Sequence, residues 1–247
     1  MSDRIQEPRW AATSAGNGAQ AGLSIVMPVL DEAAGIVARL QSRQPLRGQL
    51  VDLIVVVGGS QDDTVALARP LADRVVATGR GRGHQMNVGA ACARGDRLLF
   101  LHADTALPPD ANSAVRQALA SGAAWGRFDV RIVDGPAGLA VVAWAMNLRS
   151  RATGIATGDQ AMFCTREAFT AVGGFPEIAL MEDIVLSQRL RAISRPACLR
   201  QRVETSGRRW ARHGLVRTVL TMWCLRLRFW LGASPDALAR AYGYTPR

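Results

Sequence analysis

The stretch LLFLHADTALPPD, residues 98–110, joins a buried strand to an unusual strand end. Its first four residues are apolar and predict a β-strand buried in the core. The run is followed by His102-Ala103-Asp104, so a histidine and a carboxylate stand where a core strand emerges. An aspartate at such a position can also cap the next helix, because its side chain accepts backbone N–H bonds. Both interpretations of Asp104, as a cap and as a functional carboxylate, are open at this point.

Three apolar runs upstream predict further buried strands, at residues 23–30 (LSIVMPVL), 51–60 (VDLIVVVGGS) and 74–78 (RVVAT). Segments with helical spacing of apolar residues occur at 32–43 and 83–95. Continuous apolar runs are typical of parallel strands that are buried on both faces. Four strand–helix units in succession therefore predict an α/β sheet with right-handed crossovers.

The composition limits the class of protein. The chain has 247 residues, of which 49% are hydrophobic, as expected of a globular protein with a substantial core. No apolar run is long enough to span a membrane and the first ten residues contain no apolar segment, so we expect neither a transmembrane helix nor a secretory signal. The four cysteines are far apart and form no CxxC pair, which favours free thiols and a cytoplasmic protein.

The net charge is +10, and the 30 positions that hold lysine or arginine are all arginine. Without lysine, Schiff-base catalysis and a Walker-type phosphate loop are excluded. A charge of this size favours anionic partners such as phosphates, nucleic acid or a lipid surface. The chain carries no helix-turn-helix, zinc-finger or RNP-like signature, so we do not predict a nucleic-acid partner.

Polar and flexible residues follow three of the four predicted strands, and ligands of open α/β sheets bind beyond the carboxyl ends of the strands. A glycine-rich segment with two arginines, GRGRGHQMNVG at 79–89, lies between them in sequence. Acidic groups, flexible backbone and arginines at one edge predict a nucleotide diphosphate bound through a divalent metal ion. The residues at these strand ends are Pro28, Val29, Leu30, Asp31 and Glu32, then Gly58, Gly59, Ser60, Asp62 and Asp63, and finally His102 and Asp104.

Five segments occur in a characteristic order: LSIVMPVLDE (23–32), IVVVGGSQDDT (54–64), GDRLLFLHADTALP (95–108), GDQAMFCTREAFTAVGGF (158–175) and EDIVLSQRL (182–190). In this order the chain resembles glycosyltransferase family 2, the inverting enzymes of the GT-A fold. The segment GRGHQMN and the tail sequence resemble a small subgroup, the radical-SAM/selenodomain-associated transferases. The resemblance extends from residue 23 to residue 243.

The resemblance implies a GT-A type, Rossmann-like and mostly parallel sheet flanked by helices, with a helical C-terminal tail. Residues 11–22 are small and polar, so we expect a disordered leader at 1–22. The resemblance places a GT-A glycosyltransferase domain at 23–208 and a C-terminal helical segment at 209–247. That last segment would pack on the domain or on a membrane surface.

The resemblance also implies a binding site for a nucleotide-diphospho-sugar and a metal site for Mn²⁺ or Mg²⁺. In the HAD segment Asp104 would hold the metal, and His102 would either contact the ribose or supply a nitrogen ligand. His213 is a further candidate ligand. The implied donor-binding residues are Pro28, Val29, Leu30, Glu32, Gly58, Gly59, Ser60, Arg80, Arg82, Gln85, Asn87, His102, Ala103, Gly158, Asp159, Arg209 and Trp210.

The segment MEDIVL matches the acceptor-side motif of the family. There Asp183 would be the general base that takes a proton from the attacking acceptor group, and Glu182 would orient that base or contact the acceptor. The alternative is an ordinary helix start, where Glu and Asp interact favourably with the helix dipole.

One position departs from the family pattern. Val57 stands where the family usually has the aspartate that reads the nucleotide base, and valine accepts no hydrogen bond. The contact would then be lost or supplied by Asp31 or Asp52, which leaves the donor nucleotide open.

The tail carries an apolar stripe at helical spacing, flanked by Arg217, Arg226 and Arg228. It either packs on the core of the domain or lies on an anionic lipid surface with its arginines at the headgroups. The second case would place the protein at the inner face of the plasma membrane and suit a lipid-linked acceptor. The stripe consists of Val216, Val219, Leu220, Trp223, Leu227, Trp230 and Leu231.

Three functions are open for this sequence. The preferred one is a metal-dependent inverting glycosyltransferase that transfers a hexose from a nucleotide-diphospho-sugar to an unknown small-molecule or lipid-linked acceptor. The second is a nucleotidyltransferase, which the segment at 79–85 fits poorly. The third is a binding protein of the same fold without catalysis, which the replacements at 57 and 102 keep open.

Overall fold

A computed structural model describes residues 22–47 and 49–244. Eight strands in these residues form one sheet: β1 (Leu23–Val29), β2 (Val51–Val57), β3 (Arg74–Ala77), β4 (Arg97–Phe100), β5 (Thr105–Ala106), β6 (Trp125–Val133), β7 (Phe163–Thr165) and β8 (Ala197–Ser206). Their order across the sheet is β3-β2-β1-β4-β7-β6-β8-β5.

The first half of the sheet is parallel. β1 pairs with β2 on one side and β4 on the other, and β2 pairs with β3. All seven residues of β2 are buried, because the strand is covered on both faces. The carboxyl ends of these strands meet at one edge, as the apolar runs predict.

The second half is mixed. β7 is antiparallel to β4 and β6, β8 is parallel to β6, and β5 is antiparallel to β8. Four of the seven pairings are thus parallel, and the predicted α/β sheet with a helical tail is confirmed. The long strand β8 is missing from the prediction, because its outward positions carry Arg200, Arg202 and Glu204 and leave no continuous apolar run.

Helices cover both faces of the sheet. α1, α5 and α6 pack on one face and α4, α7 and α8 on the other. The described helices are α1 (Ala33–Gln41), α2 (Gln44–Arg47), α3 (Thr64–Ala68), α4 (Arg82–Cys92), α5 (Ala111–Ala120), α6 (Leu139–Thr153), α7 (Arg166–Ala171), α8 (Glu182–Ile193), α9 (Arg208–His213), α10 (Leu215–Trp230) and α11 (Pro235–Tyr242).

The C-terminal helices build a small third core. Leu238 and Ala239 of α11 are fully buried against Leu225 of α10 and the start of α8. The chain therefore returns from the tail to the segment that carries the acidic pair at 182 and 183. The division at residue 208 stays a prediction, and the predicted leader lies outside the described residues except for Gly22.

The apolar stripe of α10 faces outward instead of packing on the domain. Trp223 is 68% exposed, Leu227 56% and Trp230 79%. Only Leu225 and Thr218 of this helix are buried, on the opposite side. No helix in residues 22–47 and 49–244 combines the length and apolar character needed to cross a bilayer.

The four cysteines differ in their exposure to solvent. All four thiols are free, and Cys164 is buried in the core. Cys224, however, is exposed on α10, since its position lies on the outward side of the helix.

Gly89 sets how closely α4 approaches the sheet. A Cβ at this position would lie 2.3 Å from Cγ1 of Val26 and 2.9 Å from Cγ2 of Val56. Both are core side chains that cannot move without disturbing β1 and β2.

We therefore predict that Gly89→Ala lowers the free energy of unfolding by about 1–3 kcal/mol, because overpacking outweighs the helix propensity of alanine. Gly35→Ala in α1 is the control, since its new Cβ would meet only the far end of the long Arg39 side chain and not the core. Denaturant unfolding measures both variants. Equal stability of Gly89→Ala and the parent would contradict this account of the packing.

Candidate active site

The loops after β1 and β2 are joined by hydrogen bonds. The backbone N–H of Asp31 donates to Oγ of Ser60 over 2.9 Å, and the N–H of Gln61 donates to Oδ1 of Asp31 over 2.9 Å. Asp31 has a φ of 50°, which aspartate tolerates better than most side chains. These bonds join the loops after β1 and β2 at the edge of the sheet. We call the joined residues, 30–33 and 58–64, the ledge.

A second set of bonds continues this ledge. The N–H of Glu32 donates to Oγ1 of Thr64 and the N–H of Ala33 to Oδ2 of Asp62. The hydrogen bond from Thr64, followed by those from the backbone, lowers the pKa of Asp62. The carboxylate of Glu32 pairs with Arg39, about two turns further along α1.

Gln85 and Asn87 use their amides inside the protein. Nε2 of Gln85 donates to the carbonyl oxygens of Val29 (3.0 Å) and Val56 (2.8 Å), which ties α4 to the ends of β1 and β2. Asn87 exchanges two hydrogen bonds with the backbone of Phe175. Both side chains are buried, so the structure gives them a positioning role beneath the predicted donor site.

The position of the Gln85 side chain requires a glycine at residue 58. A Cβ there would lie 2.7 Å from the amide of Gln85, so no larger residue fits above that side chain. Val57 is buried in register with Val29 and Ala77. Asp52 lies at the opposite end of β2, beside Ser24, and is therefore removed from the edge where a nucleotide base would be read.

His102 meets the GDQ segment at the end of β4. Its Nδ1 lies 3.3 Å from Oδ1 of Asp159. A Cβ at Gly158 would lie 2.3 Å from the imidazole, so glycine is required for this approach. Partial burial raises the pKa of Asp159, but the hydrogen bond and charge of His102 and the charges of Arg82 and Arg209 outweigh it and hold that pKa below the usual range.

Asp183 lies at the start of α8, in contact with the same segment. Its Oδ2 accepts a hydrogen bond of 2.8 Å from the N–H of Gly158, and its Oδ1 accepts one of 2.7 Å from the N–H of Ile184. Met181, just before the helix, has a φ of 73° and turns the chain into the site. The base candidate is thus fixed by two backbone donors from different segments.

Glu182 has a different environment. It is 2% exposed, and its Oε1 lies 3.2 Å from Nη1 of Arg82. Nη2 of Arg82 donates to the hydroxyl of Tyr244 over 2.6 Å. Burial raises the pKa of Glu182, and the neighbouring charge of Asp183 raises it further against the opposing effect of Arg82. Its carboxylate therefore links α4, α8 and the tail.

The three predicted metal ligands do not come together. His102 lines a small pocket with Gly158 and Asp183, whereas Asp104 is exposed and lines a separate cavity of about 300 Å³. His213 is exposed at the end of α9. The chain turns at residues 102–105, where the N–H of Thr105 donates to the carbonyl oxygen of His102, and this turn separates His102 from Asp104. Within residues 22–47 and 49–244, no three His, Cys, Asp or Glu side chains are grouped to hold a metal ion.

The cavity at Asp104 nevertheless suits a metal-bound anion. The carboxylate of Asp104 forms no hydrogen bond or ion pair with another described residue. Arg39 of α1, Arg43 just after that helix and Arg208 of α9 also line the cavity. A free carboxylate beside cationic side chains is a suitable donor for a hard cation that carries phosphates.

The remaining predicted donor residues have different surroundings in the described structure. Arg82 is engaged by Glu182, and Arg209 stacks on the ring of Tyr242 at 4.2 Å. Trp210 is half-buried against the core. The other members are Pro28, Val29, Leu30, Gly59, Ala103 and the exposed Arg80.

Four site residues escaped prediction from the sequence. Tyr242 and Tyr244 face Arg209 and Arg82 from the end of the chain. Arg149 of α6 and Arg226 of α10 are half-buried, and the charge of Asp183 acts on both. The helical phase of α10 could have separated Arg226 from the apolar stripe, because it lies next to the buried Leu225.

The model of the family Glycosyl transferase family 2 matches residues 24–165, which is more than half of the chain. The chain belongs to glycosyltransferase family 2. The matched range covers the sheet from β1 to β7 and includes the strand ends that carry His102 and Asp104.

A curated relative of this family-2 chain is the glucosyl-3-phosphoglycerate synthase of Mycolicibacterium paratuberculosis (strain ATCC BAA-968 / K-10). It is 34% identical over 121 residues, which cover 44% of this chain and 36% of the relative. The match therefore spans about a third of the length of that enzyme.

Solved structures show the same fold. Glucosyl-3-phosphoglycerate synthase from Mycobacterium tuberculosis, in complex with Mn²⁺, uridine diphosphate and glucosyl-3-phosphoglycerate, is 21% identical with a TM-score of 0.55, over 75% of this chain and 71% of that one. The mannosyltransferase PcManGT from Pyrobaculum calidifontis, in complex with GDP-Man and Mn²⁺, is 19% identical with a TM-score of 0.60, over 88% of this chain and 65% of that one.

Proposed function

We propose that the protein is a metal-dependent, inverting glycosyltransferase that moves a hexose from a nucleotide-diphospho-sugar to an acceptor. The observation that carries the proposal is the position of Asp183, held by Gly158 beside the end of β4 and surrounded by arginines. Family membership and the nucleotide-bound neighbours support this reaction class.

Asp183 is the proposed general base. Its oxygens accept hydrogen bonds only from backbone N–H groups among the described residues, so its carboxylate is oriented without an ion pair. It would take the proton from an acceptor hydroxyl while that oxygen attacks the anomeric carbon. The bond to the nucleotide diphosphate breaks as the new glycosidic bond forms, and the configuration inverts.

Glu182 is the proposed positioning residue. Its carboxylate is buried and paired with Arg82, so it is poorly placed to contact a substrate. By fixing the first turn of α8, it places the neighbouring Asp183 at the pocket. This assigns different roles to two adjacent carboxylates.

A divalent metal, Mn²⁺ or Mg²⁺, is the proposed cofactor. Asp104 would hold it with one free carboxylate, and the other ligands would be phosphate oxygens and water. Such an ion neutralises charge on the departing diphosphate when it is bound. Mn²⁺ in two of the solved neighbours supports this proposal.

The identity of the donor nucleotide is not specified by Val57, because this side chain has no polar group and is buried. Of the two alternative aspartates, Asp31 lies on the ledge at the sheet edge and Asp52 does not. Asp31 is therefore the better candidate for a contact with the base.

The outward face of α10 is the proposed membrane contact. Gly138, the residue just before α6, lies beside Leu215 of α10, where a Cβ would be 3.1 Å from Cδ1 of that leucine. At their other ends, the charges of Arg149 and Arg226 act on each other. The two helices approach each other near their first residues, and both present exposed apolar residues: Val141, Trp144 and Leu148 of α6 and Val216, Leu220, Trp223, Leu227 and Trp230 of α10.

Charge favours an anionic lipid surface as the occupant of this face. No aspartate or glutamate occurs between Glu204 and Asp236, whereas Arg217 and Arg228 flank the apolar stripe. Tryptophan and arginine at one surface are typical of proteins that lie at a membrane interface. A lipid-linked acceptor would then reach Asp183 from the opposite side of α10.

We predict that Asp183→Asn lowers the single-turnover rate by about 10²–10⁴-fold and leaves donor affinity nearly unchanged, because the general base is lost but the donor contacts remain. Asp236→Asn, on the exposed first turn of α11, is the control. Rates and donor affinity are measured on the same preparation. Normal turnover of Asp183→Asn together with an inactive Glu182→Gln would show that Glu182, and not Asp183, is the general base.

We predict that Asp104→Asn abolishes the Mn²⁺-dependent part of nucleotide binding with the fold intact. Asp134→Asn is a matched control, because Asp134 lines the same cavity. Calorimetry with and without Mn²⁺ gives the affinities. A parent-like affinity of Asp104→Asn in Mn²⁺ would remove this residue from the metal site.

We predict that the protein co-sediments with anionic vesicles and less so at high salt, because screening weakens the attraction of its arginines. Trp223→Ser combined with Trp230→Ser should reduce the bound fraction several-fold, whereas Ile193→Ser, an exposed apolar residue on α8, should not. Absence of binding to anionic vesicles, or equal binding by the double variant, would argue against a membrane contact.

A further inference from the structure

Two arginines next to Asp183 have no partner in the described structure. Arg149 is the eleventh residue of α6, and Arg226 is the twelfth of α10. Neither guanidinium forms a hydrogen bond or ion pair with any residue of 22–47 and 49–244. Nη2 of Arg149 is shielded from solvent and has no acceptor.

This arrangement is unfavourable for the free protein. Burial lowers the pKa of Arg149 to about 10, and the neighbouring charge of Arg226 adds to that effect. Burial also lowers the pKa of Arg226, against the attraction of Asp183 and Asp159. Two partly desolvated cations that repel each other leave donors unsatisfied, and such donors cost free energy.

Asp183 does not accept the hydrogen bonds that Arg149 and Arg226 can donate. Its charge acts on both arginines, but its two oxygens accept hydrogen bonds from the backbone of Gly158 and Ile184. The guanidinium donors therefore remain available to a ligand. A guanidinium recognises phosphate and carboxylate groups through two parallel hydrogen bonds, and a pair can surround such an anion.

The position of the pair favours the acceptor over the donor. The proposed donor contacts come mainly from the strand ends of β1, β2 and β4, whereas Arg149 and Arg226 lie on α6 and α10, which supply none of those contacts. Two other arginines that act on this part of the site are already engaged, Arg82 by Glu182 and Arg209 by Tyr242. Arg149 and Arg226 therefore remain as a cationic group near Asp183 that is available to a second substrate.

We propose that Arg149 and Arg226 form a subsite for an anionic group, a phosphate or carboxylate, of the acceptor. The inference rests on the proposed transferase function, because it takes Asp183 as the base. It assigns to the acceptor both a hydroxyl, which reaches Asp183, and an anionic group near that hydroxyl. The subsite would fix which hydroxyl is presented to the anomeric carbon.

Inorganic phosphate is the probe for this subsite. The full chain is first saturated with a nucleoside diphosphate and Mn²⁺ to occupy the donor site, and phosphate is then titrated by calorimetry. We expect the parent to bind phosphate in the presence of the nucleotide. Arg149→Met and Arg226→Met should each weaken that binding about 10- to 100-fold, as expected for loss of a charged hydrogen bond.

The controls separate this role from a structural one. Arg217 and Arg228 are exposed arginines of α10, the helix that carries Arg226. The variants Arg217→Met and Arg228→Met should bind phosphate as the parent does. The melting temperature of ligand-free Arg149→Met should equal or exceed that of the parent, because an unpartnered buried charge is removed. A lower melting temperature together with unchanged phosphate affinity would make Arg149 a structural residue and overturn the inference.

Two further outcomes distinguish the inference from the proposed function. If the variants lose affinity for the nucleoside diphosphate and not for phosphate, the pair belongs to the donor site and the acceptor subsite is refuted. If no nucleotide binds at all, the proposed function fails, yet phosphate titration of the free protein still tests the pair. Absence of phosphate binding in every condition would also overturn the subsite.

Discussion

The ion pair between Arg82 and Glu182 is the interaction on which the candidate site depends. A carboxylate that is 2% exposed needs a partner, because an isolated buried charge is strongly unfavourable. Arg82 supplies that partner from the start of α4 and reaches Tyr244 with its second nitrogen. The pair therefore holds the first turn of α8, the glycine-rich segment and the end of the chain in one place.

The position of Asp183 depends on the ion pair between Arg82 and Glu182. It follows Glu182 directly, and the N–H of Gly158 fixes its carboxylate from a second direction. Gly158 in turn can approach because it has no side chain to meet His102 at the end of β4. A continuous set of close contacts thus links the proposed base to the strand end on which the donor is expected, so small changes in packing at Gly158 or Glu182 would move the base.

The sequence predicts the parallel half of the sheet well, since strands buried on both faces must be apolar throughout, as β2 is. It fails for β8, where arginines on the exposed positions interrupt the apolar pattern. It also fails to separate His102 from Asp104, because proximity in sequence does not specify the side to which each side chain points. Arg226 shows the same limit: it belongs to an amphipathic pattern, and only the packing of α10 shows that it faces Asp183.

The central claim is that this edge of the sheet breaks the bond between a sugar and a nucleotide diphosphate with inversion. The most direct measurement follows the anomeric protons by NMR while the protein and Mn²⁺ are incubated with α-linked nucleotide sugars and water acts as the acceptor. The account predicts slow release of the β-anomer first from at least one donor, followed by mutarotation. Initial release of the α-anomer would contradict the inverting mechanism, and stability of every donor despite measurable nucleotide binding would favour a binding protein without catalysis.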